Sequence, residues 1–575
     1  MVFNSKGADE VTYDAIVVGT GISGGWAAKE LCEKGLKTLV LEKGRMVRHI
    51  EDYPTANLEA WEVPYNGRVP DEEIQKHYQK QSRTGYTISQ YSKHFFVKDD
   101  EHPYQEDKRF DWMRGYHVGG RSLLWGRQSY RLSPMDFEAN AKEGIAVDWP
   151  VRYDDIAPWY EYVEKTAGIS GTKENLKQLP DSHFLPGMDL NCLEKHVKKS
   201  IEKTFGERNL IIGRVAHLTA ADPKIHGNRS NCLSRNRCIR GCPFGAYFSS
   251  NSSTLPFAEA TGNMTLRPNS VVHSIIYDKE TKRAKGVRII DAETKETHEF
   301  YSRIVFLCAS TLGSTHILMN TKTDEFPEGL GNSSGQLGHN LMDHHFRCGA
   351  RGKHEGFNDD YYVGRRPNGV YIPRFRNLDK QTEHKDFLRG YGYQGSASRD
   401  NWMRAIKEAE IGIGAEMKAK LVEPGPWSMG IMAFGECLPY YENKVTLDEG
   451  TRDIYGLPTL RMDAEWKENE KQMRKDMMSS AAEMLESAGM KDVETYDMNC
   501  WPGLGIHEMG TARMGRDPKT SVLNKWNQIH DVDNVFVTDG SFMTSAGCQN
   551  PSLTYMAFTA RAANYAVEEM KKGNL

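Results

Sequence analysis

The chain has 575 residues, with 74 Lys and Arg against 78 Asp and Glu, a formal net charge of −4. That balance gives no reason to expect nucleic acid or a charged membrane surface as a partner. The length predicts two or more structural units around a large buried core. No apolar run approaches the roughly 18 residues of a membrane-spanning helix, so none is expected. The opening residues 1–14 lack both a basic segment and an apolar one, which predicts no export signal. The 10 cysteines do not form a disulfide framework. Seven are scattered singly, as in the apolar surroundings of Cys308, and are expected to be core thiols of a protein made in a reducing compartment; the other three cluster.

In chain order, residues 11–44 dominate. An apolar run over 15–18 reads as a buried parallel strand, followed at once by Gly19-x-Gly21-x-x-Gly24, a helical stretch, and a second strand over 38–41 ending in Glu42. Gly19 permits the tight turn, Gly21 lets backbone approach a pyrophosphate, and Gly24 lets helix pack on strand. Glu42 stands 18 residues past Gly24, where a carboxylate takes a ribose hydroxyl. The pattern predicts a dinucleotide site.

Residues 46–111 are rich in Tyr, Gln and charge and are expected to wrap the surface or cover the cofactor. A second glycine-rich turn follows at 115–126. Over 149–168 a helix is expected, capped by Asp154 or Asp155, with Pro158 in its first turn. Residues 271–277 and 299–307 read as strands of one sheet, with a helix over 313–319 after the second. The aromatic stretch 349–420, with Tyr361, Tyr362, Tyr371, Phe375, Tyr391, Tyr393 and Trp402, suits either a carbohydrate-facing wall or, preferably, an ordinary large β-sheet. Residues 470–490 form an amphipathic helix whose Met473, Met477, Met478 and Met484 read as packing. A short strand ends at Asp539 and Gly540, and a last helix starts after Pro551 and runs to about 571.

Two late segments carry chemistry: 505–515, with His507, Gly510, Thr511 and Arg513, and 548–554, with Asn550 and Pro551. With the opening motif and the Gly119–Gly120 loop, they resemble the glucose–methanol–choline (GMC) family of flavin oxidoreductases. The resemblance continues at 115–131, 310–318 and 335–344 and through the last 75 residues, in the family's order. It implies an α/β fold: a Rossmann-like FAD-binding domain with a second, substrate-binding domain built on a large β-sheet, as in pyranose 2-oxidase. The expected segments are 1–150, 226–345 and 497–575 for the FAD-binding domain and 151–225 and 346–496 for the substrate domain.

The resemblance implies FAD rather than NAD, held by Gly19, Gly21, Gly24, Glu42, Gly119, Gly120, Ser122, Trp125, Asp539 and Gly540, with Val271 or Val272 (Val272 preferred) near the adenine. It places His507 and Asn550 as the catalytic pair. A histidine can take an alcohol proton near neutral pH while the carbinol hydride leaves for the flavin, and an asparagine can orient the same oxygen. His344 and His345 lie in a segment the family uses structurally and are left outside the expected active site. Pyranose 2-oxidases attach FAD through a histidine just before the tryptophan of the second glycine loop; here that position is Leu124, so the FAD is expected to be non-covalent.

The clustered thiols are Cys232, Cys238 and Cys242, the last followed by Pro243. Three thiolates with a Cys-Pro step suggest an iron–sulfur site. A zinc site would need a fourth ligand, for which His226 is the close candidate, and inert thiols are the remaining alternative. The segment is similar to the [3Fe-4S] segment in catalytic subunits of bacterial sugar dehydrogenases. That resemblance implies a dehydrogenase passing single electrons to a cytochrome c-type or quinone-linked acceptor, rather than an O₂-using oxidase. Within that branch the expected reaction is oxidation of a pyranoside C3 hydroxyl to the 3-keto sugar, with glucose C1, gluconate and polyol dehydrogenases as alternatives. A small signal-bearing subunit and periplasmic location by co-export are expected, with a cytoplasmic enzyme as the alternative.

Overall fold

The computed structural model describes residues 12–360, 369–399, 412–422 and 425–575. Strand β1 (Thr12–Val18) runs into helix α1 (Ile22–Glu33) and strand β2 (Thr38–Leu41). Helix α2 (Tyr153–Ala167) comes next among the elements that frame the site, then strands β3 (Met264–Arg267), β4 (Ser270–Asp278), β5 (Arg283–Asp291) and β6 (Thr297–Leu307). Helix α3 (Thr311–Asn320), helix α4 (Glu468–Ser487), strands β7 (Gln528–Ile529) and β8 (Val532–Val537) and helix α5 (Ser552–Lys572) complete the set.

The first sheet has the order β7-β8-β6-β1-β2-β3, with β4 and β5 attached as a meander on β6. Its centre, β8-β6-β1-β2-β3, is parallel. These strands are buried on both faces, which is why 15–18, 304–307 and 535–537 are continuous apolar runs rather than alternating ones. The register decides where a ligand can sit. Val18 lies opposite Leu41 and Leu307, and Leu307 opposite Val537, so the strands end level. Gly19, Glu42, Cys308 and Thr538 therefore leave the sheet along one carboxyl edge, the edge at which open α/β sheets bind ligands.

The second sheet is antiparallel, with the order 491–497, 348–354, 427–435, 391–399, 370–372, 211–212. Helix α4 packs on one face, burying Met473, Met477, Met484 and Leu485 against Trp427, Ile431, Tyr391 and Tyr393. The methionine stripe is packing, as expected. So are the aromatics: Phe375, Tyr391 and Tyr393 belong to this core, and Tyr371 stacks on Tyr130 with centroids 3.8 Å apart. The carbohydrate-wall alternative fails for these four, while Tyr361, Tyr362 and Trp402 lie outside the described residues. Because successive strand residues face opposite ways, Gln394 turns from the α4 face toward the cavity described below.

Two local expectations need correction. The N-cap of α2 is Arg152 rather than Asp154 or Asp155; Asp155 stands at the third helical position, its carboxylate accepting the Arg152 backbone N–H, and Pro158 lies beyond the first turn, inside the helix. Helix α2 also packs against α5, on the nucleotide side of the molecule, rather than on the second sheet.

Candidate active site

A cavity of about 840 Å³ runs along the carboxyl edge of the first sheet and under the second, a size suited to enclosing a large organic ligand. It is lined at one end by Gly19, Gly21, Leu41, Glu42, Val271 and Val272 and at the other by Gln394, His507 and Asn550. Residues of the 46–111 stretch, among them Tyr86, Thr87, Phe96 and His102, form part of its wall, so that stretch does cover the cavity.

At the nucleotide end the three glycines do what their spacing predicts. Gly19 has φ +99°, and a Cβ there would stand 2.4 Å from the Cys308 carbonyl oxygen. A Cβ on Gly24 would stand 1.9 Å from the Gly19 carbonyl oxygen, so nothing larger fits between turn and helix. A Cβ on Gly21 would meet nothing, which leaves the backbone open to an approaching ligand. Glu42 accepts the Thr20 hydroxyl at 2.5 Å and the Thr20 and Gly44 backbone N–H groups at 3.2 and 3.0 Å. Burial raises its pKa, against these hydrogen bonds. Thr20 Oγ1 in turn accepts the Gly119 N–H at 2.9 Å, joining the two glycine loops. Gly119 and Gly120 both have positive φ, at +90° and +47°. Ser122 locks that loop by donating to the Gly119 carbonyl and accepting the Ser250 N–H. Trp125 is half-buried on the cavity wall, its Nε1 donating to the Phe248 carbonyl at 2.9 Å. Leu124, without a nucleophilic atom, lines the cavity as well.

Three helices begin at this cavity without a side-chain cap: α1 after Gly21, α3 after Ser310 and α5 after Pro551. Their first residues, Ile22, Thr311 and Ser552, all line it. Uncapped N–H groups and the positive ends of the helix dipoles thus converge on one space, an arrangement that favours phosphate and other negative charge. Asp539 is buried between them, its carboxylate accepting Ser314 Oγ and Ser541 N and Oγ, and burial raises its pKa. Gly540 has no room for a side chain: a Cβ would meet Thr311 Oγ1 and Tyr555 Oη at 2.6 Å. The glycine cradles, the uncapped helix termini and the two buried carboxyls together fit a dinucleotide such as FAD.

The end that holds His507 is assembled from distant parts of the chain. Met342 and Met509 exchange backbone hydrogen bonds at 3.0 and 2.9 Å, laying residues 340–344 beside 505–510. The Asp343 carboxylate accepts the backbone N–H groups of Gly505 at 2.9 Å and His507 at 3.0 Å. Ile506 between them has φ +60°, a strained position for a β-branched residue that fixes the presentation of the next side chain. His507 faces the cavity. Its Nδ1 lies 2.8 Å from Nδ1 of His344, and its Nε2 has no protein partner among the described residues. Burial, and then the neighbouring His344 and Arg121, hold the His507 pKa well below the ordinary value. Arg121 and Glu508 form a two-pronged ion pair at 2.8 and 3.1 Å, and that carboxylate keeps the Arg121 pKa raised although burial opposes it. Asn550 accepts Gln394 Nε2 on its Oδ1 at 2.7 Å, leaving its NH₂ group for the cavity.

His344 stands outside the cavity lining, but its ring touches that of His507. His345 does not: its ring faces Gly435 and Trp466 in the packing. Neither His344 nor Gln394 carries a local mark in the sequence: Gln394 reaches the cavity from a sheet remote from His507, and His344 stands behind His507 without lining the cavity.

Cys232, Cys238 and Cys242 come together around a second, small cavity of about 30 Å³, with His217, Arg235 and Tyr247 also on its wall. Among the described residues, no group of three or more His, Cys, Asp or Glu side chains stands where it could hold a metal ion. The thiols share a cavity without closing into a ligand set. Their chemistry suits iron, and an orphaned group borders them: His217 is buried, neither ring nitrogen has a partner, and it lines both cavities together with Asn236 and Cys238. Of the seven scattered cysteines, six are buried and Cys192 is half-buried, and all ten thiols are free.

Comparison with known proteins agrees with the fold and the cradle. Two family profiles described as GMC oxidoreductase match the chain, one over residues 13–346 and the other over 439–559. The chain belongs to the GMC oxidoreductase family and is an FAD-dependent oxidoreductase. It is 29% identical to a 2-methyl-1,2-propanediol dehydrogenase of Mycolicibacterium austroafricanum, over 96% of this chain and 94% of that one. It is 24% identical to the fructose dehydrogenase large subunit of Gluconobacter japonicus, over 98% and 99%. Among solved structures it matches pyridoxine 4-oxidase from "Mesorbium loti" with a TM-score of 0.58 at 15% identity, covering 96% of this chain and 98% of that one, which shows the shared fold.

Proposed function

We propose that the chain is an FAD-dependent dehydrogenase that oxidises a secondary hydroxyl of a sugar, with C3 of a pyranoside, giving the 3-keto sugar, as the first candidate. The observation that carries this reading is the convergence of an unpartnered His507 Nε2 and a free Asn550 amide at one end of a cavity whose other end fits a dinucleotide. His507 accepts the hydroxyl proton at Nε2, and its depressed pKa keeps the ring unprotonated and ready across neutral pH. Asn550, oriented by Gln394, donates to the same oxygen and keeps the carbinol C–H aimed along the cavity. Bound FAD supplies the hydride acceptor, and the N-terminus of α5 favours the negative charge that arrives with it.

The reading extends to a [3Fe-4S] cluster on Cys232, Cys238 and Cys242, supplying a one-electron relay toward a cytochrome c-type or quinone-linked acceptor. It is supported by the thiol chemistry, by the contact of the cysteine cavity with the large one, and by a relative named as the large subunit of a dehydrogenase. A small signal-bearing partner subunit and periplasmic location by co-export belong to the same proposal. The test is low-temperature electron paramagnetic resonance on protein as isolated, with iron and FAD quantified together. A narrow oxidised-cluster signal and about three irons per FAD are expected. The open thiol geometry favours one second reading, an O₂-using sugar oxidase; absence of iron from anaerobically prepared protein, with rapid reoxidation in air, would select it.

A further inference from the structure

We infer that His344 is the positioning residue that makes His507 a base, by fixing which of its two ring nitrogens carries the proton. The inference rests on the proposed alcohol oxidation for its kinetic consequence but not for its structural content. It starts from an acceptor that cannot act otherwise. His344 Nε2 lies 2.8 Å from the Gly547 carbonyl oxygen. A carbonyl only accepts, so Nε2 of His344 carries hydrogen. Burial lowers the His344 pKa to about 4, so the ring is neutral and its Nδ1 is a bare lone pair. That lone pair faces Nδ1 of His507 at 2.8 Å, and two bare lone pairs would repel at this distance. His507 must therefore place its single proton on Nδ1 and donate it to His344. The remaining nitrogen, Nε2, is left with its lone pair on the cavity side.

The arrangement is held from several directions. His344 is fully buried, and the two rings meet edge to face, at 80° with centroids 4.9 Å apart. Asp343, the preceding residue, grips the backbone on both sides of Ile506, so the histidine cannot retreat from its partner. A Cβ on Gly505 would stand 2.4 Å from Asp343 Oδ1, so the close approach of the two segments requires glycine there. Gly547 lies three residues before Asn550, so His344 also ties the base to the loop that carries the second substrate-facing group.

In the reaction the alcohol O–H bond breaks and its proton joins His507 Nε2, while the carbinol hydride leaves to the flavin. His507 then carries two N–H groups and a positive charge. The Nδ1 lone pair of His344 remains its acceptor and stabilises that charge. With leucine in place of His344, the Nδ1 proton of His507 loses its acceptor, and the ring is free to move its proton to Nε2, where it would meet the substrate as a donor rather than a base.

The test uses FAD-loaded protein labelled with 15N-histidine and two variants. His344→Gln can replace both functions, since its amide NH₂ can reach Gly547 and its carbonyl can accept from His507; His344→Leu replaces neither. The His507 signals are identified by their loss in His507→Asn. In wild type, Nδ1 of His507 is expected to be protonated and Nε2 unprotonated, with His344→Gln unchanged and His344→Leu shifted toward the other tautomer. A proton on Nε2 in wild type, or an unchanged pattern in His344→Leu, would overturn the inference. In rapid-mixing kinetics, His344→Leu is expected to slow flavin reduction about 100-fold with half-saturation within about 3-fold, and His344→Gln to recover to within about 10-fold of wild type. Equal losses in both variants with FAD retained would also overturn it. If no alcohol reduces the wild-type flavin, the proposed function falls, and the nitrogen signals still decide the tautomer.

Discussion

The two ends of the cavity are built in opposite ways. The nucleotide end comes mostly from one continuous stretch: β1, the Gly19 turn, α1 and β2 supply cradle, helix terminus and carboxylate within 31 residues, from Thr12 to Glu42. Thr20 and Gly119 add one cross-link. The end proposed to be catalytic has no such stretch. His344, Gln394, His507 and Asn550 come from four segments, and the contacts that aim them are made only when both sheets are in place. A nucleotide cradle reuses backbone geometry that a short motif encodes. A proton-transfer pair needs side chains at set distances, which tertiary contacts must supply. The nucleotide end should therefore fail as a unit when its geometry is broken, and the catalytic end should fail in graded steps.

The largest effect is expected from Gly24→Val. The new Cβ would stand within 2 Å of the Gly19 carbonyl, forcing turn and helix apart. FAD content after purification should fall to near zero, and retention of stoichiometric FAD would refute the account of the cradle. Next is His507→Ala, which leaves the cradle untouched. FAD should bind normally while its reduction by substrate falls about 100- to 10,000-fold; reduction at the wild-type rate would remove His507 from the mechanism. Asn550→Ala should cost about 100-fold as the loss of one donor to the reacting oxygen. Gln394→Ala acts only through Asn550 and should cost about 3- to 10-fold, the scale of one hydrogen bond. If Gln394→Ala were the more damaging of the two, Gln394 rather than Asn550 would be the group that meets the substrate.

The same contrast explains what could be read in advance. The parallel strands, the glycine turn, Glu42, the Asp539 turn and the methionine face of α4 each have a signal within a few turns of chain, and each stands where that signal placed it. His507 and Asn550 are proposed as the catalytic pair through resemblance, since an isolated histidine in a loop carries no local mark of catalysis. His344 stands in a segment that reads as structural. It is structural, and the backbone pairing of Met342 with Met509 is what brings its ring to His507. The aromatic strands were ambiguous because tyrosines suit both a buried sheet and a sugar-binding wall. Burial resolves four of them: Phe375, Tyr391 and Tyr393 lie in the core on the α4 face, and Tyr371, on the same face as Gln394, is buried against Tyr130.

The smallest expected effect separates the two ends by their buried carboxyls. Glu42 accepts three hydrogen bonds from its own neighbourhood, whereas Asp343 sits under His507 with its pKa pushed up to about 7 by burial and then by Glu508. A carboxyl whose folded pKa lies above its unfolded value holds its proton more tightly in the folded state. Its contribution to stability is therefore full below about pH 4, the unfolded value, and is lost as pH rises through about 7. The melting temperature of the FAD-loaded protein should decline between pH 5 and 8 for this reason, and Asp343→Asn should flatten the decline by on the order of 2 °C. Part of the slope should survive, because Glu436, buried with Oε2 unpartnered, also titrates at about 7. Glu436→Gln should remove that part without slowing flavin reduction, since it touches neither His507 nor Asn550. Parallel slopes in wild type and Asp343→Asn would mean that the carboxyl under His507 is already ionised at pH 5, with the two backbone N–H groups sufficient to hold its charge.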